Sequence, residues 1–149
     1  MRITKGEGDS MNITTKNVGN TTIIYLYGRL DIFVAQSVEA DIFDIMENNI
    51  GNHLVLVLER LDYLSSSGLR IFISLKRVLG LSGCQLVLCN KSNNAVNIFF
   101  KIINIKDMFT IFETEEEAIQ YLSADKKHIQ SHLIQDYLKA DLNKKLASM

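Results

Sequence analysis

Three serine hydroxyls stand together in the segment Leu61-Asp62-Tyr63-Leu64-Ser65-Ser66-Ser67-Gly68-Leu69-Arg70. Upstream, residues 54–58 are uniformly apolar, which predicts a short strand that is covered on both faces. Serine before an apolar run at helical spacing is a helix N-cap signal, and such a run follows in Leu69, Ile71, Phe72, Ile73, Leu75, Val78 and Leu79. The segment therefore joins a buried strand to the start of a helix, which Gly80 and Gly83 close.

The same alternation of strand and helix precedes this segment. Residues 21–27 are rich in β-branched and aromatic side chains and predict a strand that Gly28 stops. Asp31 then precedes an amphipathic helix that ends near Met46. Its buried face is predicted by apolar residues at steps of four, four and three, namely Val34, Val38, Ile42 and Ile45.

The alternation continues to residue 123. Residues 85–89 predict another apolar strand, residues 90–94 turn the chain into a helix, and residues 108–112 predict a short last strand. A capping box at residues 114–117 opens one more helix. We therefore predict an α/β layered domain, with a mixed, largely parallel sheet of about four to five strands and helices packed on it.

Three segments of different character divide the chain. Residues 1–11 carry glycine and charge without periodicity and predict a flexible leader, and residues 12–123 form the domain. Residues 124–149 predict a C-terminal amphipathic helix with the stripe Ile129, Leu133, Ile134, Tyr137, Leu138, Leu142 and Leu146. This extension holds five Lys and three Asp, a net charge of +2. The whole chain has 16 basic and 17 acidic residues, so the residues before the extension carry a net charge of −3. We expect it to dock on the acidic domain, to self-associate with a second copy or to contact another protein.

The overall composition excludes several classes of protein. The 149 residues are 47% hydrophobic, with a formal charge of −1, and this near-neutrality argues against direct binding of nucleic acid through bulk charge. The longest aliphatic run, residues 54–58, is far shorter than the about 20 residues of a membrane span. Cys84 and Cys89 lie too far apart along one predicted strand for a disulfide. We expect a globular cytoplasmic protein without a signal peptide.

Side chains for catalysis or metal binding are scarce. His128 and His132 share one helix face, but no Glu completes a metalloprotease motif, and no metal or cofactor is predicted. An enzyme that used Ser66 as its nucleophile would lack a base, because His53 precedes a strand and the other histidines lie on the extension. The sequence therefore predicts a protein that is not an enzyme.

The serine cluster has a second interpretation besides helix capping. Backbone N–H groups at a helix start have no intrahelical partner, and the helix dipole favours negative charge there. A phosphate on one of these serines would add about −1.5 to −2 charge at the site that tolerates it best. The residues alone leave both interpretations open, since Ser66 or Ser67 caps the helix in either case.

The segment resembles the signature of the STAS-domain anti-sigma factor antagonists, also called anti-anti-sigma factors. Their usual pattern is an Asp-Ser-Ser-Gly-Leu or Ser-Ser-Ala-Gly-Leu turn, and this chain has Ser65-Ser66-Ser67-Gly68-Leu69. Tyr27-Gly28-Arg29-Leu30-Asp31 resembles the family's Gly-x-Leu-Asp after the first strand, and residues 86–90 before a Phe-containing helix resemble its later strand and helix. The resemblance covers residues 12–123 and implies a STAS-like fold.

The resemblance also implies a bacterial phosphorylation switch in signal transduction. In that family the unmodified domain binds an anti-sigma factor that is also a serine kinase, which frees the sigma factor. Phosphorylation of one serine at the helix start breaks the contact, and a serine phosphatase restores it. Alignment of Gly68 with the motif glycine places the phosphoacceptor at Ser66, with Ser65 and Ser67 as alternatives. The implied partner-binding residues are Asp31, Ser65, Ser67, Gly68, Leu69 and Arg70.

One departure from the family pattern bears on the mechanism. Many members carry an aspartate just before the acceptor, whereas this chain has Ser65, a hydroxyl that brings no charge. The extension, residues 124–149, is an addition to the usual short domain. Both features favour the alternative function, a STAS scaffold subunit of a larger signalling or transport assembly that is never phosphorylated.

Overall fold

The computed structural model of the chain describes residues 2–4, 11–124 and 131–147. The strands are β1 (Arg2–Thr4), β2 (Asn12–Val18), β3 (Thr21–Leu30), β4 (His53–Leu64), β5 (Leu86–Cys89) and β6 (Thr110–Phe112). The helices are α1 (Ala35–Glu47), α2 (Ser66–Gly80), α3 (Asn94–Ile103), α4 (Glu115–Ser123) and α5 (Ser131–Ala147), with a 3₁₀ turn over Ile105–Asp107.

The strands form one sheet in chain order, β1-β2-β3-β4-β5-β6. Neighbours are antiparallel from β1 to β3 and parallel from β3 to β6. The structure thus confirms a mixed, largely parallel α/β sheet, and its six described strands exceed the four to five expected. All four parallel strands end at the same side of the sheet, which we call the carboxyl edge, and α1 to α4 begin there.

The parallel strands present alternate side chains to two apolar layers. On the front face, Leu54 and Leu56 pack with buried residues of α1, α2 and α3. On the back face, Val55 packs with Ala118 and Leu122 of α4. Because side chains alternate along a strand, one uninterrupted apolar run supplies both layers. This is the physical reason for the apolar run that the sequence showed.

The N-terminal segment differs from the predicted flexible leader. Arg2–Thr4 forms β1 and pairs with β2, and Met11 is fully buried in the front core. Residues 1 and 5–10 lie outside the described residues. The sequence pattern missed β2 because Ile13 is the single buried residue of that strand, which is otherwise polar or exposed.

Two strands extend beyond their predicted ends. β3 continues through Gly28, which has φ of +104° beside a register irregularity and does not stop the strand. β4 runs on to Leu64, so Leu30 and Leu64 are direct neighbours at the carboxyl edge. This extra length brings the end of β3 beside the serine cluster.

The C-terminal helix α5 packs on its own domain, against α1 and α2. Lys145 Nζ lies 3.4 Å from a carboxylate oxygen of Glu39, and an Arg77 guanidinium nitrogen lies 3.6 Å from Asp141. Docking on the domain was one of the three contacts expected for the extension. None of the helices in the described ranges is long and apolar enough to cross a membrane.

Truncation of Met11 tests whether the segment before β2 belongs to the core. We expect Met11→Ala to lower the free energy of unfolding by about 2–5 kcal/mol, because it deletes a fully buried side chain. Val18→Ala, at the 38% exposed end of β2, is the matched control and should change stability by less than about 1 kcal/mol. Urea denaturation followed by circular dichroism measures both. Equal, small effects would show that Met11 does not contribute to the core.

Candidate functional site

The serine cluster lies at the carboxyl edge, between the end of β4 and the start of α2. The N–H and the hydroxyl of Ser65 both donate to the Leu30 carbonyl of β3, at 3.0 and 2.8 Å. Ser65 Oγ also accepts from the Gly68 N–H at 3.2 Å, which makes Ser65 the N-cap of α2. The capping role expected of Ser66 or Ser67 therefore belongs to Ser65, whose backbone is extended as a cap requires.

The other two serines begin α2 and differ in exposure. Ser66 is exposed and Ser67 is half-buried, and neither hydroxyl bonds to another residue in the described part of the chain. Their backbone N–H groups have no intrahelical acceptor at this position. Arg70 is exposed one turn after Ser66, whereas Leu69 is half-buried and packs against the front core. The most accessible hydroxyl of the cluster is thus that of Ser66, with a cationic side chain at the next turn.

Gly68 is buried, and close packing explains why it is glycine. A Cβ at this position would lie 2.7 Å from Leu64 Cδ1 and 2.8 Å from Leu30 Cγ. Such distances require a shift of α2 or of the two leucines. The resemblance implied a partner contact for Gly68, but the structure places this residue beneath the surface, where it lets α2 approach the ends of β3 and β4.

Asp31 organises the loop between β3 and α1 at the same edge. Its Oδ1 accepts from the N–H groups of Phe33 and Val34, at 3.0 and 3.3 Å, which orders the turn into the helix. Its Oδ2 lies 3.9 Å from Arg29 Nε. The Arg29 guanidinium in turn lies over the Tyr63 ring, 4.5 Å from its centroid. Asp31 therefore fixes the loop and the basic and aromatic side chains beside it.

That loop exposes two large apolar side chains, Ile32 and Phe33, which we call the apolar loop. They are 68% and 91% exposed, and Tyr63 on the neighbouring strand is 42% exposed. Exposed apolar groups at one edge are typical of protein interaction sites. Sequence analysis did not single them out, although Ile32 and Phe33 fall outside the spacing of the buried face of α1, which was the available signal.

Among the residues that the structure describes, no catalytic side chains are assembled around Ser66. His53 begins β4 at the opposite side of the sheet, is buried, and accepts from the Gln85 N–H at its Nδ1, 2.9 Å away. Burial, together with Glu115 and other carboxylates, raises the pKa of the Cys89 thiol to about 12, so its reactive thiolate is not formed. Over residues 2–4, 11–124 and 131–147, no group of three His, Cys, Asp or Glu is placed to hold a metal ion; His128 lies outside these ranges.

Glu59 fixes a further loop at the carboxyl edge, between β5 and α3. One carboxylate oxygen accepts from the Lys91 N–H at 2.7 Å, and the other accepts from the Ser92 N–H at 2.9 Å and its hydroxyl at 2.7 Å. Burial raises the pKa of the Glu59 carboxyl, but these hydrogen bonds and nearby Arg60 outweigh it and hold the pKa below its usual value. The charged form of Glu59 is therefore the one that holds the loop.

Known proteins resemble this chain in sequence and in fold. A family model described as STAS domain matches residues 12–118. The anti-sigma-B factor antagonist of Bacillus subtilis (strain 168) is 24% identical over 111 residues, which cover 74% of this chain and 99% of the relative. An anti-sigma factor antagonist from Mycobacterium paratuberculosis has a TM-score of 0.69 at 17% identity, covering 80% of this chain and 99% of that one. The Bacillus cell fate determinant SpoIIAA in the phosphorylated form has a TM-score of 0.55 at 22% identity, covering 73% of this chain and 97% of that one.

Substitution of Gly68 tests the close approach of α2 to the strand ends. We expect Gly68→Ala to lower the free energy of unfolding by about 1–3 kcal/mol, because its methyl group would overlap Leu30 and Leu64. Gly80→Ala is the matched control on the same helix, where a Cβ meets nothing within 4 Å, and should stabilise the chain by about 0.4–1 kcal/mol. Thermal or urea unfolding measures the stability of both variants. A Gly68→Ala variant as stable as the native chain would contradict the packing role.

The depressed pKa of Glu59 predicts a pH-dependent contribution to stability. A carboxyl with a lowered folded-state pKa stabilises the fold above its unfolded-state pKa, about 4.3, and loses that contribution as pH falls through the folded-state value. We expect Glu59→Gln to cost about 1 kcal/mol at pH 7 and much less at pH 3. Asp62→Asn, an exposed carboxylate on the same strand, is the control. Urea unfolding at both pH values gives the comparison; a Glu59→Gln loss that is the same at both would contradict the role of the charged form.

Proposed function

The chain belongs to the STAS domain family, and we propose that it is an anti-sigma factor antagonist that works as a phosphorylation switch. Its unphosphorylated form binds an anti-sigma factor that is also a serine kinase, and so frees a sigma factor. Phosphorylation of Ser66 releases this partner, and a serine phosphatase restores binding. The similar proteins support the role, because they are described as anti-sigma factor antagonists, a binding function and not a catalytic one. The proposal places the chain in the bacterial cytoplasm, where sigma factors act.

The placement of Ser66 is the observation that carries the proposal. The Ser65 hydroxyl is occupied as donor to Leu30 and acceptor from Gly68, so its modification would dismantle the helix cap. Ser66 is exposed and has no such commitment in the described residues, while Ser67 is half-buried. A kinase requires an accessible hydroxyl, which makes Ser66 the favoured acceptor. The likeness to the phosphorylated form of SpoIIAA agrees with a modifiable site in this fold.

The start of α2 is suited to hold a phosphate. A phosphoserine carries about −1.5 to −2 charge at pH 7, and a helix N-terminus favours negative charge. The first turn of α2 contains no acidic residue that would repel it. Arg70 follows Ser66 by four residues, the spacing at which helical side chains meet. Modification therefore changes the charge of this surface while the fold beneath it is retained.

The unmodified surface is suited to a protein partner. Interfaces are typically centred on desolvated apolar anchors within a polar rim. We assign Ile32 and Phe33 of the apolar loop as the anchor, with Asp31, Ser66 and Arg70 at the rim. A phosphate would bring additional negative charge into this contact, and the partner would have to remove the water that solvates it. Desolvation of such a charge costs several kcal/mol, and each 1.4 kcal/mol weakens binding about tenfold.

Substitution of Ser66 tests the switch in the presence of the cognate kinase. We expect mass spectrometry after incubation with kinase and ATP to find a single phosphate on Ser66, and none on Ser66→Ala. In titration calorimetry we expect Ser66→Asp to bind the kinase at least about tenfold more weakly than Ser66→Ala, since only the former brings charge into the contact. Ser123→Asp, which adds the same charge at the end of α4, should bind as the native chain does.

Two results would contradict this proposal. An unmodified Ser66 after kinase treatment would exclude it as the phosphoacceptor, and a phosphate on Ser65 or Ser67 would move the switch to that serine. Equal binding by Ser66→Asp and Ser66→Ala would exclude electrostatic release and would favour the unphosphorylated STAS scaffold subunit instead.

A further inference from the structure

The helices α4 and α5 lie on opposite faces of the sheet. Ala118 and Leu122 of α4 pack on the back face, whereas α5 packs against α1 and α2, which cover the front face. The end of α4 is fixed at the side where the parallel strands begin, which we call the amino edge. There Asn20 Nδ2 donates to the Leu122 carbonyl, and the Tyr121 hydroxyl donates to Gln85 Oε1, both at 3.1 Å. The chain therefore has to change faces between α4 and α5.

Two described ion pairs give the direction of α5. Asp141 pairs with Arg77 near the end of α2, and Lys145, one turn later, pairs with Glu39 near the start of α1. Because α1 and α2 run from the carboxyl edge to the amino edge, α5 runs antiparallel to both and begins at the amino edge. The helix α4 runs in the same direction as α1 and α2. A chain that docks its own α5 therefore has to reverse its direction as well as change faces.

The connection between the two helices is short for that path. Helices on opposite faces of a sheet have their axes at least about 20 Å apart, since each helix is about 10–12 Å wide and the sheet lies between them. From Ser123 to Ser131 the chain has eight steps, which reach about 26–29 Å when fully extended and about 12 Å as a helix. Docking within one chain therefore requires a largely extended connection.

The sequence carries no signal that would end α4 at this point. Residues 124–130 include no glycine and no proline, and Ala124, Lys126, Lys127 and Gln130 are residue types that favour helices. The backbone of Ala124, directly after α4, keeps helical angles, with φ of −79° and ψ of −11°. The intrinsic preference of the connection therefore opposes the extended path that docking within one chain requires.

We propose that α5 docks on α1 and α2 of a second copy of this chain, in a dimer that exchanges the two helices reciprocally. In this dimer the amino edges of the two copies face each other across a two-fold axis, which lies in the plane of the sheet and perpendicular to the strands. The back face of one copy and the front face of the other are then on the same side, so α5 continues in the direction of α4. Exchange of an identical element is a low-cost route to a dimer, because the contacts of α5 are retained.

The length of the connection decides between the two arrangements. Docking within one chain has an effective concentration that falls towards zero as the connection becomes too short for the span. Short connections therefore favour exchange between copies. In the exchanged dimer Lys145 of one copy pairs with Glu39 of the other, near the start of α1. Each copy thus supplies a helix end close to the carboxyl edge of its partner, and this arrangement does not depend on phosphorylation of Ser66.

Variants of the full chain with a longer or a shorter connection test the exchange by sedimentation equilibrium. We expect the native chain to be a dimer at about 100 µM. Insertion of ten Gly and Ser residues after residue 130 gives a connection whose r.m.s. length, about 21–25 Å, matches the span, and this variant should be a monomer at the same concentration. Deletion of residues 125–128 leaves a reach of about 14 Å, so only exchange is possible, and the dimer Kd should fall at least about tenfold. Circular dichroism checks that both variants fold.

Charge-reversed chains show whether α5 crosses between copies. One variant carries Asp141→Arg with Lys145→Glu and the other Glu39→Lys with Arg77→Glu, so each reverses one side of both ion pairs and keeps its net charge. Each variant alone should dimerise at least about fivefold more weakly than the native chain. An equimolar mixture should recover the native Kd, because each helix then meets a complementary surface on the other chain.

Three results would overturn the proposal. A native chain that is a monomer at about 100 µM would show that α5 stays on its own domain. A lengthened variant that dimerises as the native chain does would assign the dimer to another surface. A mixture of the charge-reversed chains that dimerises no better than either variant alone would exclude contact of α5 with a second copy.

Discussion

The carbonyl oxygen of Leu30 is the atom on which the arrangement of the carboxyl edge depends. It accepts two hydrogen bonds from Ser65, one from the backbone and one from the hydroxyl, and these join the end of β3 to the start of α2. The same hydroxyl also accepts from the Gly68 N–H, so the Ser65 side chain both joins β3 to α2 and caps α2. The Leu30 side chain also occupies the space that a Cβ on Gly68 would need. Exposure of Ser66 follows from these contacts.

The serine at position 65 is more than an uncharged replacement for the family's aspartate. An ionised carboxylate only accepts hydrogen bonds, whereas a hydroxyl both donates and accepts. An aspartate here would be able to cap the Gly68 N–H but would place negative charge against the Leu30 carbonyl. Ser65 instead satisfies both groups. The departure from the pattern thus preserves the cap and strengthens the junction with β3.

The sequence predicted those features whose signal is local and uninterrupted. The apolar run of residues 54–58 predicted the central strand, and the capping box at Thr114 and Glu117 is present as expected. The sequence did not predict β2, because a strand with a single buried residue lacks the alternation of apolar and polar side chains that marks a covered strand. The sequence-based prediction ended β3 at Gly28. Glycine occurs both at strand ends and at irregularities within strands, and the sequence alone does not distinguish the two. The face of the sheet that α4 covers is decided by packing between distant segments, which no local pattern reports.

The uncharged first turn of α2 has a consequence for the lifetime of the protein. The positive end of the helix dipole is left uncompensated there, and an anion fixed at that end contributes about 0.3–1 kcal/mol to the folded state. The unfolded chain has no helix end and offers no such interaction. A phosphate on Ser66 would therefore raise the melting temperature, and the modified pool would resist proteolysis better than the active pool. Modification state and turnover rate would be thermodynamically linked through one helix terminus.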